Sequence, residues 1–368
     1  MYNKIKSIGM QPNIFTFNIL INCCYQLTGV DYGFCLFGEI LKSGYDPNII
    51  TFNTLIKWVC VQGTNSSALQ LFDKMTGTGV SPTVFTYNIL INSLCKEGEM
   101  RKANQIFEKM MKLGKEPDVI TYNSMIDGLC LTGKIEEARK LFDSMVDKGL
   151  EHDLYSFSVL INGYCKKFKL DDALLLFEKM KQKGIKPTQV TYSTLLNGLC
   201  RAKKVTIARS LLFEMQSTGA SPNIVTYNAM LDGLCKNGHI DEATELFHSM
   251  KLKGYKADIQ TYGLVIDGLC KSGKFQDAKK LFHEIPNQGL VPNVRTYTIM
   301  ISGMCRVGIL FEAEKLIFEM EKHGCVPNAV TYETIIKGFL ERKEVEKAKE
   351  FLQKMRQRKF SPSNALIY

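Results

Sequence analysis

Twelve cysteines, five histidines and several paired carboxylates are the side chains in this 368-residue sequence from which bond-making chemistry would be expected. Their spacing argues against it. Eight of the cysteines (Cys60, Cys95, Cys130, Cys165, Cys200, Cys235, Cys270 and Cys305) stand 35 residues apart, and no pair has the C-x-x-C spacing of a zinc site. A position filled identically at a constant interval is a packing position, where free cysteine behaves as a small hydrophobe. Unpaired thiols in turn imply a reducing compartment. The pairs Glu136-Glu137, Asp171-Asp172 and Asp241-Glu242 also recur in register, whereas a two-metal hydrolytic centre needs one cluster. His152, His239, His248, His283 and His323 share no spacing of a ligand set or a triad. Neither G-x-S-x-G nor a glycine-rich phosphate loop occurs. The expectation is a protein that is not an enzyme and needs no metal or cofactor.

The chemistry that the spacing does support is hydrogen bonding repeated along the chain. Thr16-Phe17-Asn18 returns as Thr51-Phe52-Asn53, Thr86-Tyr87-Asn88, Thr121-Tyr122-Asn123, Ser156-Phe157-Ser158, Thr191-Tyr192-Ser193, Thr226-Tyr227-Asn228, Thr261-Tyr262-Gly263, Thr296-Tyr297-Thr298 and Thr331-Tyr332-Glu333, every 35 residues without insertion. Ten repeats follow, at 14–48, 49–83, 84–118, 119–153, 154–188, 189–223, 224–258, 259–293, 294–328 and 329–363. Residues 1–13 read as the second half of a leading repeat and 364–368 as a tail.

Three further positions carry a pattern. The last residue of the repeat is Asn48, Thr83, Asp118, Asp153, Thr188, Asn223, Asp258, Asn293, Asn328 or Ser363, set against the fifth residue at the end of each string above. Asn offers a donor and an acceptor, Asp acceptors only, and Ser or Thr a small amphoteric hydroxyl. The thirteenth residue is basic in six repeats, as Lys96, Lys166, Arg201, Lys236, Lys271 and Arg306; Gln26, Val61, Leu131 and Glu341 break the series. Its plain reading is a charge at a solvated helix C-terminus. The second residue is Phe15, Ile50, Phe85, Ile120, Tyr155, Val190, Val225, Gln260, Arg295 or Val330. Packing at a helix start is the plain reading there, although Gln260 and Arg295 are poor core residues.

Two helices per repeat must position these residues. The first has apolar residues at helical spacing, as in Tyr122, Met125, Ile126 and Leu129. A Gly turn follows at Gly98, Gly133, Gly238, Gly273 and Gly308. The second helix opens on the acidic pairs, which complement its dipole, carries a stripe such as Ala138, Leu141, Phe142 and Met145, and stops at a Gly in nine of ten repeats. Small residues in the first helix (Gly128, Gly163, Gly198, Gly233, Gly268, Gly303, Gly338) permit close approach of a neighbour, and Trp58 at the same place is expected to disturb its junction. One hairpin cannot bury its own apolar face but a stack can, so the fold is an all-α solenoid forming one elongated array.

Composition agrees: 45% hydrophobic and 23% charged residues describe a folded chain. No run approaches the ~18 apolar residues of a membrane span. The balance of 47 basic to 37 acidic residues, net +10, favours a polyanionic partner, and neither a membrane nor a small-molecule substrate is expected as a partner.

The segment VITYNSMIDGLCLTGKIEEARKLFDSMVDKGLEHD (Val119–Asp153) resembles the pentatricopeptide repeat, and the resemblance extends over the ten repeats and the leading half. Uniform 35-residue repeats are similar to the P class of that family, and the LCK and LF..M wording to its restorer-of-fertility-like subgroup of plants. The resemblance implies a right-handed solenoid that binds single-stranded RNA, one base per repeat, N-terminus toward the RNA 5′ end. The second residue then wedges between bases, the thirteenth approaches phosphate, and the fifth and last residues of one repeat read the base. Asn18 with Asn48 and Asn53 with Thr83 would take pyrimidines. Asn88 with Asp118, Asn123 with Asp153 and Asn228 with Asp258 would take uracil. Ser158 with Thr188 and Gly263 with Asn293 would take purines, and Ser193 with Asn223 and Thr298 with Asn328 adenine. Glu333 with Ser363 matches no assignment, and repeat 10, with Lys359 in place of its closing Gly, reads as a cap. The implied target is 5′-YYUURAURAN-3′.

By the same resemblance the RNA is an organelle transcript, mitochondrial in preference to chloroplast, that the protein protects, remodels or presents to recruited protein factors. No transit peptide is visible before the half repeat at Met1-Tyr2-Asn3, so a fragment or trimmed chain is expected. The rival reading is a helical scaffold that holds a protein or peptide, which predicts no register between fifth and last residues.

Overall fold

The computed structural model describes residues 12–27 and 30–363, which hold twenty α-helices and no strand. The first helices of the repeats are Ile14–Leu27, Ile49–Val61, Val84–Lys96, Val119–Leu131, Leu154–Lys166, Gln189–Arg201, Ile224–Lys236, Ile259–Lys271, Val294–Val307 and Ala329–Glu341. The second helices are Val30–Lys42, Asn65–Gly77, Met100–Lys112, Ile135–Asp147, Leu170–Gln182, Val205–Ser217, Ile240–Leu252, Phe275–Asn287, Leu310–Lys322 and Val345–Gln357. The fold is an all-α solenoid of helix-turn-helix repeats. Its chain divides into two compact units, Met1–Lys186 and Pro187–Tyr368. In each, a first helix packs on its own second helix and on the first helices of flanking repeats. The expected half repeat, apart from Pro12 and Asn13, and the tail lie outside the described residues.

Helix starts follow from the repeated string. The last residue of one repeat is the N-cap of the next first helix: the side chains of Asn48, Asp118, Asp153, Asn223, Asp258 and Asn328 accept from the backbone N–H three residues on, and the Thr or Ser there reaches back to the cap. Such caps stabilise by about 1 kcal/mol each. Turns and helix ends need a left-handed residue. Where the sequence has no Gly, Phe168, Lys203, Lys343 and Lys359 take φ of 58 to 64° instead, at a cost near 1 kcal/mol apiece. Repeat 10 thus ends as the other repeats do, without its Gly.

Successive repeats are locked by two contacts. The buried aromatic of the string meets a Phe in the preceding second helix edge-to-face, as in Phe72–Tyr87, Phe142–Phe157, Phe247–Tyr262 and Phe282–Tyr297, with centroids 5.3 to 5.5 Å apart. The register cysteine meets the register glycine of the next repeat: a Cβ on Gly163, Gly268 or Gly303 would lie 2.5 to 2.6 Å from the Sγ of Cys130, Cys235 or Cys270. Each glycine therefore exists to admit a particular thiol. Trp58 is buried, its indole against Gly33, whose missing Cβ would stand 3.4 Å from Cζ3. Its helix packs less extensively on the flanking first helices than other neighbouring first helices do on one another, as a bulky residue at a small-residue position is expected to cause.

Burial pushes the thiols of Cys95, Cys130, Cys165, Cys200, Cys235, Cys270 and Cys305 up from 9.0 to about 12. A thiol still protonated in the folded chain when its exposed counterpart ionises contributes stability that is complete below about pH 9 and lost as pH rises toward about 12. Thermal melts by circular dichroism should therefore be level to about pH 8.5 and fall above about pH 9.5, with a shallower fall after Cys→Ala changes at Cys130 and Cys270. A fall unaltered by those changes would contradict this origin.

Candidate nucleic-acid interface

The fifth and last residues of a repeat, thirty apart in sequence, come into hydrogen-bond contact. Asn18 Nδ2 donates to Asn48 Oδ1 at 3.3 Å, Asn88 Nδ2 to Asp118 Oδ1 at 3.0 Å, and Asn123 Nδ2 to Asp153 Oδ1 at 3.1 Å. In repeat 10 the backbone N–H of Ser363 donates to Glu333 Oε1 at 2.7 Å. Elsewhere the two are joined through the third residue of the next repeat. Thr261 Oγ1 donates to Asn228 Oδ1 and lies equally close, 2.7 Å, to Asp258 Oδ1. Thr331 Oγ1 stands 2.8 Å from Thr298 Oγ1 and 3.0 Å from Asn328 Oδ1. Thr86 reaches Asn53 at 2.8 Å beside Thr83, and Thr226 reaches Ser193 at 2.8 Å beside Asn223. Gly263 presents no side chain toward Asn293, which caps Thr296. Ser158 and Thr188 fall in different compact units.

Burial alone would raise the Asp153 carboxyl, but hydrogen bonds from Ser156 and from the Asn123 amide outweigh it and hold the group below the usual carboxylate value. It remains an anionic acceptor at neutral pH.

The second residues border these pairs and are exposed in all ten repeats, the apolar and aromatic ones from Ile50 at 50% to Phe15 and Val190 at 69%. Helix-start packing does not account for them. An open groove in the first compact unit is lined by Phe15, Asn18, Ile50, Asn53, Lys57 and Phe85 among others, and one in the second by Val225, Asn228, Lys236, Asp258, Gln260 and Arg295. Apolar, hydrogen-bonding and cationic groups are thus interleaved within one groove of each unit.

All six thirteenth-position cations are exposed. Lys236 Nζ pairs with Asp232 at 2.7 Å and Lys271 Nζ with Asp267 at 2.6 Å, one helical turn back. In repeat 4, where Leu131 replaces the cation, burial raises the Asp127 carboxyl while Lys166 and Lys96 oppose the shift. These aspartates at the ninth position were legible as i,i+4 partners of the basic series. The third-position hydroxyl was less so, because its partner lies in another repeat.

The remaining chemistry-bearing residues have structural partners. Glu136 pairs with Lys169, and Asp241 with Lys274, tying successive second helices. His152 is buried, stacked on Phe142 with centroids 3.7 Å apart, and its Nε2 lies 2.7 Å from the Phe142 carbonyl oxygen. Among the described residues no group of three or more His, Cys, Asp or Glu is placed to hold a metal ion, and no helix is long and apolar enough to cross a membrane.

Comparison with known families matches the PPR repeat family at residues 47–96, 82–131, 117–166, 152–201, 190–236, 222–271, 258–306, 300–341 and 327–365, and a PPR repeat at 15–45. The chain belongs to the PPR, or pentatricopeptide, repeat family. Its structure is similar to that of the pentatricopeptide repeat protein PPR10 in complex with an 18-nt psaJ RNA element, with a TM-score of 0.87 and 26% identity over 99% of this chain and 53% of that one. A cysteine-to-serine variant of PPR10 bound to the same RNA element gives the same values. A further PPR10 structure, from maize, superposes with a TM-score of 0.59 at 24% identity over 99% of this chain and 61% of that one. The chain thus spans about half the length of the first of these relatives. No curated protein matches it in sequence.

Proposed function

We propose that the chain binds single-stranded RNA sequence-specifically, one base per repeat, without catalysing a reaction. The observation that carries this reading is the groove in each unit where exposed second-position side chains flank the hydrogen-bonded pairs. Unstacked bases need surfaces to lie against, edge-reading donors and acceptors, and charge for the backbone. The similarity to an RNA-bound PPR10 structure supports it, as does the use of the paired carboxylates in ion pairs between helices. The proposed target is 5′-YYUURAURAN-3′. P-class architecture, a restorer-like role and action on a mitochondrial transcript follow from the sequence resemblance alone.

A salt titration tests the electrostatic half of this reading. Six phosphate contacts predict a log–log slope near −4 for a single strand. Lys236 and Lys271 exchange an aspartate for a phosphate and release fewer counterions, which makes the expected slope shallower than about −4. A slope near zero would favour a protein-binding scaffold instead.

A further inference from the structure

The third residue of the repeat has a role that capping does not exhaust. In repeats 2, 4 and 8 its hydroxyl oxygen accepts the backbone N–H of the cap, from Asn48 to Thr51 at 3.3 Å, from Asp118 to Thr121 at 3.2 Å and from Asp258 to Thr261 at 3.3 Å. Its own proton is then the group left to donate. That proton reaches the preceding repeat: Thr51 to Asn18 Oδ1 at 2.7 Å, Thr86 to Asn53 Oδ1 at 2.8 Å, Thr121 to Asn88 Oδ1 at 2.6 Å, and Thr261 to Asn228 Oδ1 at 2.7 Å.

Asn88 shows what this does. Its Nδ2 faces the Asp118 carboxylate, which only accepts, and its Oδ1 faces the Thr121 hydroxyl. Both ends of the amide are fixed in one orientation, so the hydrogen left for a ligand belongs to the Nδ2 donor.

Repeat 4 has the same Asn–Asp pair without the clamp. The residue after it is Ser156, whose hydroxyl lies 2.8 Å from Asp153 Oδ1, much as that of Thr121 lies 2.9 Å from Asp118 Oδ1, but does not also reach the Asn of the repeat before it. Asn123 is only 4% exposed, and its Oδ1 is buried with no hydrogen-bond partner. Serine lacks the β-methyl that restricts threonine at χ1, so nothing in its own structure holds the hydroxyl toward Asn123.

We infer that the third-position Thr is a positioning residue that sets the hydrogen-bond polarity of the Asn before it, and that Asn123, held at one end only, discriminates its base less sharply than Asn88. This rests on the base-reading assignment above. A donor amide beside an anionic acceptor complements uracil, with carbonyl oxygens flanking N3–H. An amide that can pivot about its single hydrogen bond to Asp153 presents the donor to the base less squarely. The unclamped repeat should therefore admit cytosine more readily.

The test uses the full chain and synthetic RNAs of the proposed target carrying U or C at the third or fourth base. Wild type should prefer U over C about two- to tenfold more strongly at the third base than at the fourth. Ser156→Thr should raise the ratio at the fourth base to that at the third, and Thr121→Ser should lower the third to that of the fourth. General destabilisation would weaken all four RNAs together and leave the ratios in place. Equal ratios that neither variant moves, with a U preference at both bases intact, would overturn the positioning role alone. Absence of any U preference at either base would overturn the base-reading assignment and the positioning role with it.

Discussion

Replacing Asn228 by Ser together with Asp258 by Asn is expected to turn the seventh base preference from uracil to adenine. The chain already contains the product of this exchange in repeat 6, where Ser193 Oγ lies 2.8 Å from Thr226 Oγ1 and Asn223 caps Thr226 N at 2.9 Å. The new pair therefore fits the same backbone, and Asn caps a helix as well as Asp does. Uracil loses a donor and an anionic acceptor, while adenine gains an amide donor for N1 and a hydroxyl acceptor for its amine. Two altered hydrogen bonds at about 1 kcal/mol each amount to a swing of roughly thirtyfold in the ratio of dissociation constants. Binding of two RNAs that differ only at the seventh base measures it. An unchanged ratio would show that the two side chains do not face the base.

The second large effect concerns the fold. Gly233→Val should destabilise the chain by about 1–3 kcal/mol, because a Cβ there would stand 2.3 Å from both Cβ and Sγ of Cys200 and 3.3 Å from its Cα. The backbone itself is in the way, so a change of rotamer cannot relieve the clash. Cys200→Gly in the same chain should recover part of the loss. Gly263→Ala is the control: its nearest neighbour would be Ile299 Cδ1 at 3.8 Å, and helix propensity then favours the variant by up to about 1 kcal/mol. Thermal melts of the three variants decide the matter, and equal melting temperatures for Gly233→Val and Gly263→Ala would contradict the packing account.

These two sites mark how far the sequence could be read. The 35-residue period placed both helices of every described repeat, because Gly turns, caps and apolar spacing are local signals that the same string repeats ten times. It also marked Gly233 and Cys200 as packing positions, yet not that they meet. That contact depends on how one repeat sits against the next, a register that spacing within a repeat does not encode. Trp58 was legible as an oversized residue at a small-residue position, but not that Gly33 on another helix makes room for its indole. The polar pairs were legible as a pattern, but the third-position threonine served only to mark the period. Its hydroxyl acts on a residue 33 positions earlier.

Selection of the purified chain against a randomised RNA pool tests the central claim most directly. The account predicts enrichment of a core reading UU, purine, A, U, purine, A in the 5′ to 3′ direction, with looser choice at both ends. A folded, helical chain that enriches no sequence would contradict it.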